Sequence, residues 1–348
     1  MSLKSVNSSQ IVPQLAPLPD WPVFGLADDV RPALAAARAA GAPCVLATLT
    51  AVEGGGPRPP GTQMVFAPEG PAGGVSGYFS GGCVEGDVAG HAQACLEDGT
   101  PRILVYGEGS PWPDIRLLCG ARIEIFLERI APDDAAIGEV LAARAERRAA
   151  TYVSDGQARA CAAEVSPWME AVVERIYEPT PRLVVIGGDP TALAIAELGA
   201  RSGFETTLVR PKGPETPPPV AGIAYLRDEP AQALAAIGLD PWTHVAVATH
   251  DLDTDRAALA AALPSPAGYV GLLGARRRLA GRLAELRALG MDEAAIGRLH
   301  APIGLDIGGK APFEVAVSVI GEITALRYAR DSGSTSASDP ASAAGAPG

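Results

Sequence analysis

The feature that most constrains the fold is a strand, glycine turn, helix and strand in the second half of the chain. Residues 183–186 form an unbroken apolar run that leads directly into Gly187 and Gly188. Apolar residues then recur at helical spacing over 192–200, and residues 206–209 have the composition of another strand. Two strands joined through a helix form a βαβ unit, in which the strands are parallel. This half of the chain is therefore predicted to contain a parallel sheet covered by helices.

The same alternation continues to the end of this half. Strands are predicted at 244–249 and 269–273, helices at 255–263 and 276–289, and a long amphipathic helix at 312–330. This pattern is typical of a doubly wound, Rossmann-like sheet.

The sequence pattern of the first half of the chain predicts a mixed α+β domain. Strands are indicated at 44–49, 63–67, 102–106, 123–127, 151–161 and 172–177, and helices at 28–40 and 133–148. The apolar residues from Ile123 to Leu127 alternate with Glu124 and Glu128, which is typical of a half-buried strand. The fold class is thus α/β, with an N-terminal mixed α+β domain before a Rossmann-like doubly wound parallel sheet.

Proline and composition place the domain boundaries. The segment Glu178-Pro179-Thr180-Pro181 interrupts any continuing element and marks the junction. The predicted divisions are a disordered or extended segment at 1–27, a cysteine-containing domain at 28–177, the Rossmann-like domain at 178–330 and a disordered tail at 331–348.

Charge and cysteine content limit the function classes. A formal net charge of −12 over 348 residues argues against a nucleic-acid partner, because phosphate binding needs a basic surface. No apolar run reaches membrane-spanning length, and the first ten residues lack an apolar signal core. The five cysteines are odd in number and scattered, which disfavours a disulfide framework. These features predict a cytoplasmic protein that does not bind a membrane.

The stretch Ser80-Gly81-Gly82-Cys83-Val84-Glu85 is the strongest candidate site. Apolar residues at helical spacing follow it, and Gly99 supplies a stop signal, so Cys83 is expected at or just before a helix N-terminus. Helix-opening amides favour negative charge and hence a thiolate. The two glycines leave room for a bulky ligand. A soft metal, a sulfur atom or an anionic cofactor would suit this position, although a small buried core residue is the alternative.

Two loops accompany this motif. Cys119 and Gly120 lie in a loop or at a strand edge, 36 positions after Cys83, and the two thiols could meet in space. The glycine–proline run 54–61, which holds Arg58, is either a ligand-lining loop or a plain surface connection. The remaining cysteines are expected in apolar cores: Cys44, Cys95 and Cys161.

The glycine turn of the second domain departs from a dinucleotide fingerprint. The second glycine of G-x-G-x-x-G/A, which admits a pyrophosphate, is replaced by Asp189. Arg210 stands where an acidic residue would hold the ribose. His250 follows the strand at 244–249, at the carboxyl edge where such sheets bind ligands, and is either an acid, base or anion ligand or a loop cap. NAD(P) binding is therefore disfavoured.

Taken in order, these motifs resemble the XdhC/CoxI family of molybdenum-enzyme maturation factors. The resemblance covers residues 35–330 and rests on the motif at 80–85 and the Cys119-Gly120 pair, followed by a Rossmann-like half. Within that half the matching segments are Thr249-His250-Asp251, Tyr269 to Gly274, Ala301 to Gly308, and the start of the closing helix at Pro312.

The resemblance implies an accessory chaperone for the molybdenum cofactor, as molybdopterin or its nucleotide form. Such a factor protects the cofactor during sulfuration by a cysteine desulfurase and delivers it to a molybdenum hydroxylase apoenzyme such as xanthine dehydrogenase. Family likeness also suggests a homodimer. The implied cofactor-binding residues are Gly81, Gly82, Cys83, Glu85, Cys119, Gly120, Gly187 and His250, with Cys83 and Cys119 as the metal contacts.

Two alternatives remain open from the residues. The βαβ unit with His250 as acid or base would suit an NAD(P)-dependent oxidoreductase. A thiol sulfur carrier, in which Cys83 holds a persulfide, is the other.

Overall fold

The chain folds into two compact units, Met1–Pro179 and Thr180–Gly348. A computed structural model describes residues 12–56, 58–110, 117, 119–163 and 171–335. The division between the units falls inside the proline-containing segment 178–181. The fold class predicted from the sequence is confirmed, with an antiparallel N-terminal unit before a parallel sheet.

The N-terminal unit is built on two antiparallel sheets. The five-stranded sheet has the order β3-β2-β1-β5-β4, and the three-stranded sheet has the order β7-β6-β8. The described helices and strands are α1 (Arg31–Ala39), β1 (Cys44–Glu53), β2 (Gln63–Phe66), β3 (Val75–Gly77), α2 (Glu85–Asp98), β4 (Arg102–Tyr106), β5 (Arg122–Ile130), α3 (Ala135–Ala145), β6 (Ala150–Ser154), β7 (Arg159–Ala162) and β8 (Val173–Tyr177).

Apolar cores lie on both faces of the five-stranded sheet. Val45, Ala47 and Leu49 of β1 belong to the core that includes the apolar residues of α2. Leu46, on the opposite face of the same strand, belongs to a second core with residues of α1, α3 and the small sheet. Because both faces are covered, β1 is buried throughout its first six residues, and its ends are the places where polar loops reach the surface.

The segment expected to be disordered or extended at 1–27 is ordered from residue 12 onward. Leu15 and Ala16 are each only 8% exposed. The Ala16 N–H donates to the Ala67 carbonyl at 3.0 Å, and Leu15 packs in the core beside α2. Apolar side chains and a backbone hydrogen bond fix this segment, whereas composition alone had suggested fraying. Residues 1–11 lie outside the described residues.

The C-terminal unit is a six-stranded parallel sheet with helices on both faces. Its order, β11-β10-β9-β12-β13-β14, reverses between β9 and β12, the strand order of a Rossmann fold. The described elements are β9 (Arg182–Gly187), α4 (Pro190–Arg201), β10 (Glu205–Val209), β11 (Ile223–Leu226), α5 (Pro230–Ile237), β12 (Thr243–Ala248), α6 (Leu252–Ala262), β13 (Tyr269–Leu272), α7 (Arg276–Ala288), α8 (Glu293–Ile296), β14 (Leu299–His300) and α9 (Pro312–Thr335).

The final helix is longer than expected. We predicted that the disordered tail begins at residue 331, but α9 continues through Thr335. The rest of the predicted tail, 336–348, lies outside the described residues. Within the part of the chain that the structure describes, no helix combines the length and apolarity needed to cross a bilayer.

Glu128 on β5 is a buried carboxylate that joins the two antiparallel sheets. The half-buried pattern of this strand suggested a solvated position, but Glu128 is 0% exposed. Its oxygens accept from the Tyr152 hydroxyl at 2.8 Å and the Ser154 hydroxyl at 2.6 Å, and it forms an ion pair with Arg159. Burial raises the pKa of Glu128, while the Arg159 charge opposes that shift. The three-stranded sheet covers this side of β5, which no local pattern could reveal.

This network makes a stability prediction. We expect Glu128→Ala to lower the free energy of unfolding by about 3–5 kcal/mol, because it leaves buried polar partners without their acceptor. Urea denaturation of the full chain measures this value. The matched control is Glu146→Ala, whose side chain is 62% exposed beside Arg148, and its cost should stay within about 0.5 kcal/mol. Equal losses for the two variants would contradict the structural role of Glu128.

Candidate functional site

The loop that carries Cys83 leads directly into α2. This helix begins at Glu85 and ends before Gly99, which adopts a left-handed conformation, as the sequence pattern predicted. Its buried apolar side chains, Val88, Ala92, Cys95 and Leu96, lie on one face and pack in the core. The start of α2 is therefore held against the sheet, which fixes the position of the end of the preceding loop.

The side chain of Glu85 turns back into this loop and organises it. Glu85 is 2% exposed, and its two carboxylate oxygens accept four backbone N–H groups at 2.6–3.3 Å. The donors are Phe79, Ser80, Gly82 and Val84. An ionised carboxylate can be buried only with such partners, so the loop and the carboxylate stabilise each other.

Ser80 completes this arrangement. Its hydroxyl donates to Glu85 at 2.7 Å and accepts the N–H of Cys83 at 3.1 Å and, at 3.3 Å, that of Val84. The backbone amides of Cys83 and Val84, directly before α2, thus donate to Ser80 and Glu85 and not to the Cys83 sulfur. The negative charge that the loop amides hold is the carboxylate of Glu85.

These hydrogen bonds lower the pKa of Glu85. Burial of the carboxyl acts in the opposite direction, but the hydroxyl and backbone bonds from Ser80 and the backbone bond from Phe79 outweigh it. Glu85 is therefore ionised near neutral pH, which is the state that accepts every bond of the loop.

Cys83 lies at the outer surface of the loop. Its residue is exposed, as are Gly81 and Gly82, whereas Val84 next to it is fully buried. Gly81 and Gly82 have φ values of 139° and 90°, which side chains rarely adopt. The glycines let the backbone turn outward between the buried residues Phe79 and Val84, so that Cys83 lies at the surface.

Three polar loops leave the five-stranded sheet at the same end of its strands, which we call the sheet edge. Glu53 at the end of β1 pairs with Arg122 at the start of β5, and Tyr106 at the end of β4 pairs with Ile123. Gly77 ends β3 at the same edge, opposite the start of β2. The connections that leave this edge are 54–61, 78–84 and 107–121. The topology therefore brings the glycine–proline loop and both candidate thiols to one edge.

Cys119 is an exposed residue at the tip of a turn on this edge. The N–H of Gly120 donates to the Leu117 carbonyl at 2.9 Å, and Gly120 has a φ of 72°. Leu117 packs against the same apolar core as Val84. The turn also touches the start of the glycine–proline loop, since a Cβ on Gly54 would lie 3.6 Å from the Gly120 carbonyl oxygen.

Two residues that the sequence did not single out hold α2 to the sheet edge. The Tyr106 hydroxyl donates to Asp87 at 2.7 Å, which ties the first turn of α2 to the end of β4. Burial and the Asp87 carboxylate both raise the pKa of Tyr106. Asp87 lies two positions after Glu85, a spacing that could have marked it, but its partner is distant in sequence.

The other cysteines differ in environment from Cys83 and Cys119. Cys44 and Cys95 are buried in apolar cores, and Cys161 is half-buried. Burial raises the pKa of Cys44 to about 12 and also raises those of Cys95 and Cys161. Among the residues placed by the structure, no group of three or more His, Cys, Asp or Glu side chains is arranged to hold a metal ion.

In the C-terminal unit, Gly187 and Asp189 occupy the switch point between β9 and β12. A Cβ on Gly187 would lie 2.1 Å from the Ala248 carbonyl oxygen, so glycine is required for close strand packing. Asp189 caps α4 by accepting the Ala192 N–H at 2.8 Å. Its carboxylate therefore occupies the helix start where a dinucleotide would place its pyrophosphate.

His250 and Arg210 surround this cap. The His250 imidazole is 80% exposed and lies 3.0 Å from the other oxygen of Asp189. The Arg210 side chain lies over the glycine turn, where a Cβ on Gly188 would meet its Nε at 2.4 Å. The structure thus brings His250 and the glycine turn together at the carboxyl edge, with the Asp189 carboxylate between them.

Comparisons with known families place both halves of the chain. Residues 37–107 match the family described as XdhC and CoxI family, and residues 183–323 match the XdhC Rossmann domain. The first match contains Cys83 and Glu85, and the second contains Gly187 and His250.

Relatives and a solved structure agree with these matches. The chain is 31% identical to the molybdenum cofactor insertion chaperone PaoD of Escherichia coli strain K12, over 81% of this chain and 83% of PaoD. It is 26% identical to a probable xanthine dehydrogenase subunit from Bacillus subtilis strain 168, over 81% of this chain and 93% of that protein. The crystal structure of a xanthine dehydrogenase from Bacillus halodurans has the same fold, with a TM-score of 0.71 and 23% identity over 90% of this chain and 98% of that one. The resemblance seen in the motifs is confirmed, and the chain belongs to the XdhC and CoxI family.

Proposed function

We propose that this protein is an accessory chaperone that binds the molybdenum cofactor and delivers it to a molybdenum hydroxylase such as xanthine dehydrogenase. The observation that carries the proposal is the exposure of Cys83 on a loop whose backbone amides are bound by the buried Glu85 carboxylate. The likeness to PaoD, whose name describes cofactor insertion, supports the same assignment.

The donor set suits this cargo. Molybdenum and its sulfur ligands are soft, and thiolate is the soft ligand that proteins supply. In this proposal Cys83 and Cys119 contact the metal or its sulfur. Gly81, Gly82 and Gly120 lack side chains and let a bulky pterin approach the backbone. The exposure of both thiols at one sheet edge supports this division of roles.

Glu85 is proposed to act by positioning the loop rather than by touching the cofactor. Its carboxylate is buried and already accepts the loop amides and the Ser80 hydroxyl. The contact that the resemblance assigned to Glu85 is therefore replaced in this proposal by an indirect role. A loop rich in glycine loses much conformational entropy on ordering, and the buried carboxylate offsets that loss.

In this proposal the Rossmann-like unit offers a ligand contact at the carboxyl edge of its sheet but does not bind NAD(P). Asp189 places negative charge at the helix start where a pyrophosphate would bind, which opposes the oxidoreductase alternative. His250 is exposed beside it and stays our candidate contact to an anionic group, and Gly187 serves strand packing. A nucleotide form of the cofactor, sulfuration by a cysteine desulfurase, a homodimer and a cytoplasmic location remain predictions.

The exposure of Cys83 also suits a persulfide carrier, the second candidate function. Mass spectrometry after incubation with cysteine and a cysteine desulfurase separates the two. An added sulfur on Cys83, with no pterin bound to protein from cofactor-producing cells, would favour the carrier over the chaperone.

Removal of the Cys83 thiol tests the proposed cofactor contact. In protein purified from cells that make the cofactor, we expect Cys83→Ala to reduce bound molybdopterin at least about tenfold, which corresponds to ~1.4 kcal/mol of binding. The pterin is quantified as its fluorescent oxidation product. Cys161→Ala, which changes a half-buried cysteine on β7, should retain the wild-type amount. Wild-type protein without pterin would overturn the proposed function.

Replacement of the Glu85 carboxylate by an amide tests its role in holding the loop. Glu85→Gln replaces one acceptor oxygen with a donor that faces backbone N–H groups, and we expect a loss of about 1.5–3 kcal/mol in the free energy of unfolding. Bound molybdopterin should also fall, because the loop loses its fixed form. Glu97→Gln, on the exposed part of the same helix, is the matched control and should change neither value.

The effect of Glu85 should depend on pH in a defined direction. Its pKa in the folded protein is lowered from 4.5, so its stabilisation is fully present above that value and is lost as pH falls through the folded pKa. The difference in Tm between wild type and Glu85→Gln should therefore narrow between pH 6 and pH 3. A difference that stays constant or widens in acid would show that the charge of Glu85 does not hold the loop.

A further inference from the structure

Two arginines from different elements flank Tyr177 in the N-terminal unit, and a third is near enough to interact electrostatically with one of them. Arg175 of β8 lies 4.9 Å from the centroid of the Tyr177 ring, and Arg31 of α1 lies 5.6 Å from it. Arg58 comes from the glycine–proline loop, and its charge acts on Arg175. We call Arg31, Arg58 and Arg175 the arginine cluster. Neither its composition nor its position follows from any local sequence pattern.

The carboxylates near the arginine cluster do not match its charge. Asp29 pairs with Arg31 at 2.8 Å and is shared with Arg144, and Asp28 pairs with Arg58. In the part of the chain that the structure describes, no carboxylate lies within ion-pairing distance of Arg175. Of the three arginines, Arg175 is therefore the one whose charge has no carboxylate partner among the described residues.

Unsatisfied donors accompany this unpartnered charge. The Nε atoms of Arg58 and Arg175 are buried, and neither finds a hydrogen-bond acceptor among the described residues. Buried guanidinium N–H groups without acceptors are costly, and natural structures rarely leave them so. Two such groups from separate elements, in one cluster, indicate that an acceptor from outside the chain belongs there.

The electrostatics of Arg175 agree with this geometry. Burial lowers the pKa of Arg175, and the charges of Arg31 and Arg58 lower it further, against the opposing effect of Tyr177 and Asp29. An anion beside Arg175 would relieve the repulsion between the guanidinium groups.

We propose that the arginine cluster is a binding site for a phosphate-type oxyanion held by Arg58 and Arg175. Planar guanidinium groups donate in pairs to such oxygens, which suits a tetrahedral oxyanion better than a point charge. Gly61, in the loop that carries Arg58, lies beside Arg175, since a Cβ on Gly61 would be in van der Waals contact with Nη1 of Arg175 at 3.7 Å.

The identity of the natural occupant rests on the proposed function. The loop 54–61 that carries Arg58 leaves the same sheet edge as the loops of Cys83 and Cys119. In a carrier of the molybdenum cofactor, the oxyanion at the arginine cluster is therefore the phosphate end of the pterin, while the thiols face its soft end.

The test uses inorganic phosphate as the probe. Isothermal titration of the full chain at constant ionic strength, with chloride as the balancing anion, should give saturable phosphate binding. Arg175→Met, which keeps an apolar stem against Tyr177, and Arg58→Met should each weaken it at least about tenfold. Arg148→Met, an arginine of the same unit paired with Glu139 and Glu146, should leave it unchanged.

The stability of the phosphate-free protein separates a binding role from a structural one. If Arg175 is an uncompensated cation, Arg175→Met should have a Tm equal to or above that of the wild type without phosphate, and phosphate should raise the Tm of the wild type alone. A lower Tm for Arg175→Met in phosphate-free buffer, or equal phosphate binding by both proteins, would overturn the proposal.

Bound molybdopterin distinguishes failure of this inference from failure of the proposed function. Loss of phosphate binding and of molybdopterin in Arg175→Met supports both assignments. Phosphate binding by a wild-type protein that carries no molybdopterin supports the oxyanion site and removes the chaperone function. Molybdopterin on the wild type without any phosphate binding removes the arginine site and leaves the thiols as the cofactor contacts.

Discussion

The conformation of the Cys83 loop depends on one buried carboxylate. Gly81 and Gly82 give this segment great freedom in the unfolded chain, and ordering them is costly. Glu85 offsets that cost by accepting four backbone N–H groups and the Ser80 hydroxyl. The carboxylate in turn needs these donors, because an unpaired charge could not be buried at the start of α2. Loop order and thiol exposure are therefore two results of the same interaction.

A carboxylate also binds a backbone amide at the glycine turn of the second unit. There Asp189 caps α4 and takes the position that a ligand phosphate occupies in a dinucleotide site. In both units a glycine turn precedes a helix and an acidic side chain accepts backbone N–H groups there. Glu85 accepts those of the loop before α2, and Asp189 accepts the Ala192 N–H in the first turn of α4. A glycine-rich turn thus does not imply an external anion. In the proposed function, the ligand is recognised instead by groups that these turns leave exposed, Cys83 in one unit and His250 in the other.

Sequence periodicity was sufficient for the fold class but not for the site. The βαβ pattern around residues 183–209 requires a parallel sheet, and helical spacing after Glu85 locates α2, because both are local properties of the chain. The short strand β11 and the buried state of Glu128 depend on neighbours distant in sequence, and no such pattern marks them. The arginine cluster joins α1, the glycine–proline loop and β8, so only the tertiary fold could reveal it.

The two ends of the loop 54–61 lie beside chemically different groups. Its start lies against the turn of Cys119, where Gly54 comes close to Gly120, and its end lies against Arg175 at Gly61. Sulfur favours soft partners, whereas guanidinium groups favour oxyanions. A net charge of −12 disfavours anion binding in general, so the oxyanion site that we propose depends on the local positive charge of Arg58 and Arg175. If both proposed sites are correct, a ligand that spans this edge combines a soft centre with an oxyanion, a combination that an ordinary nucleotide lacks.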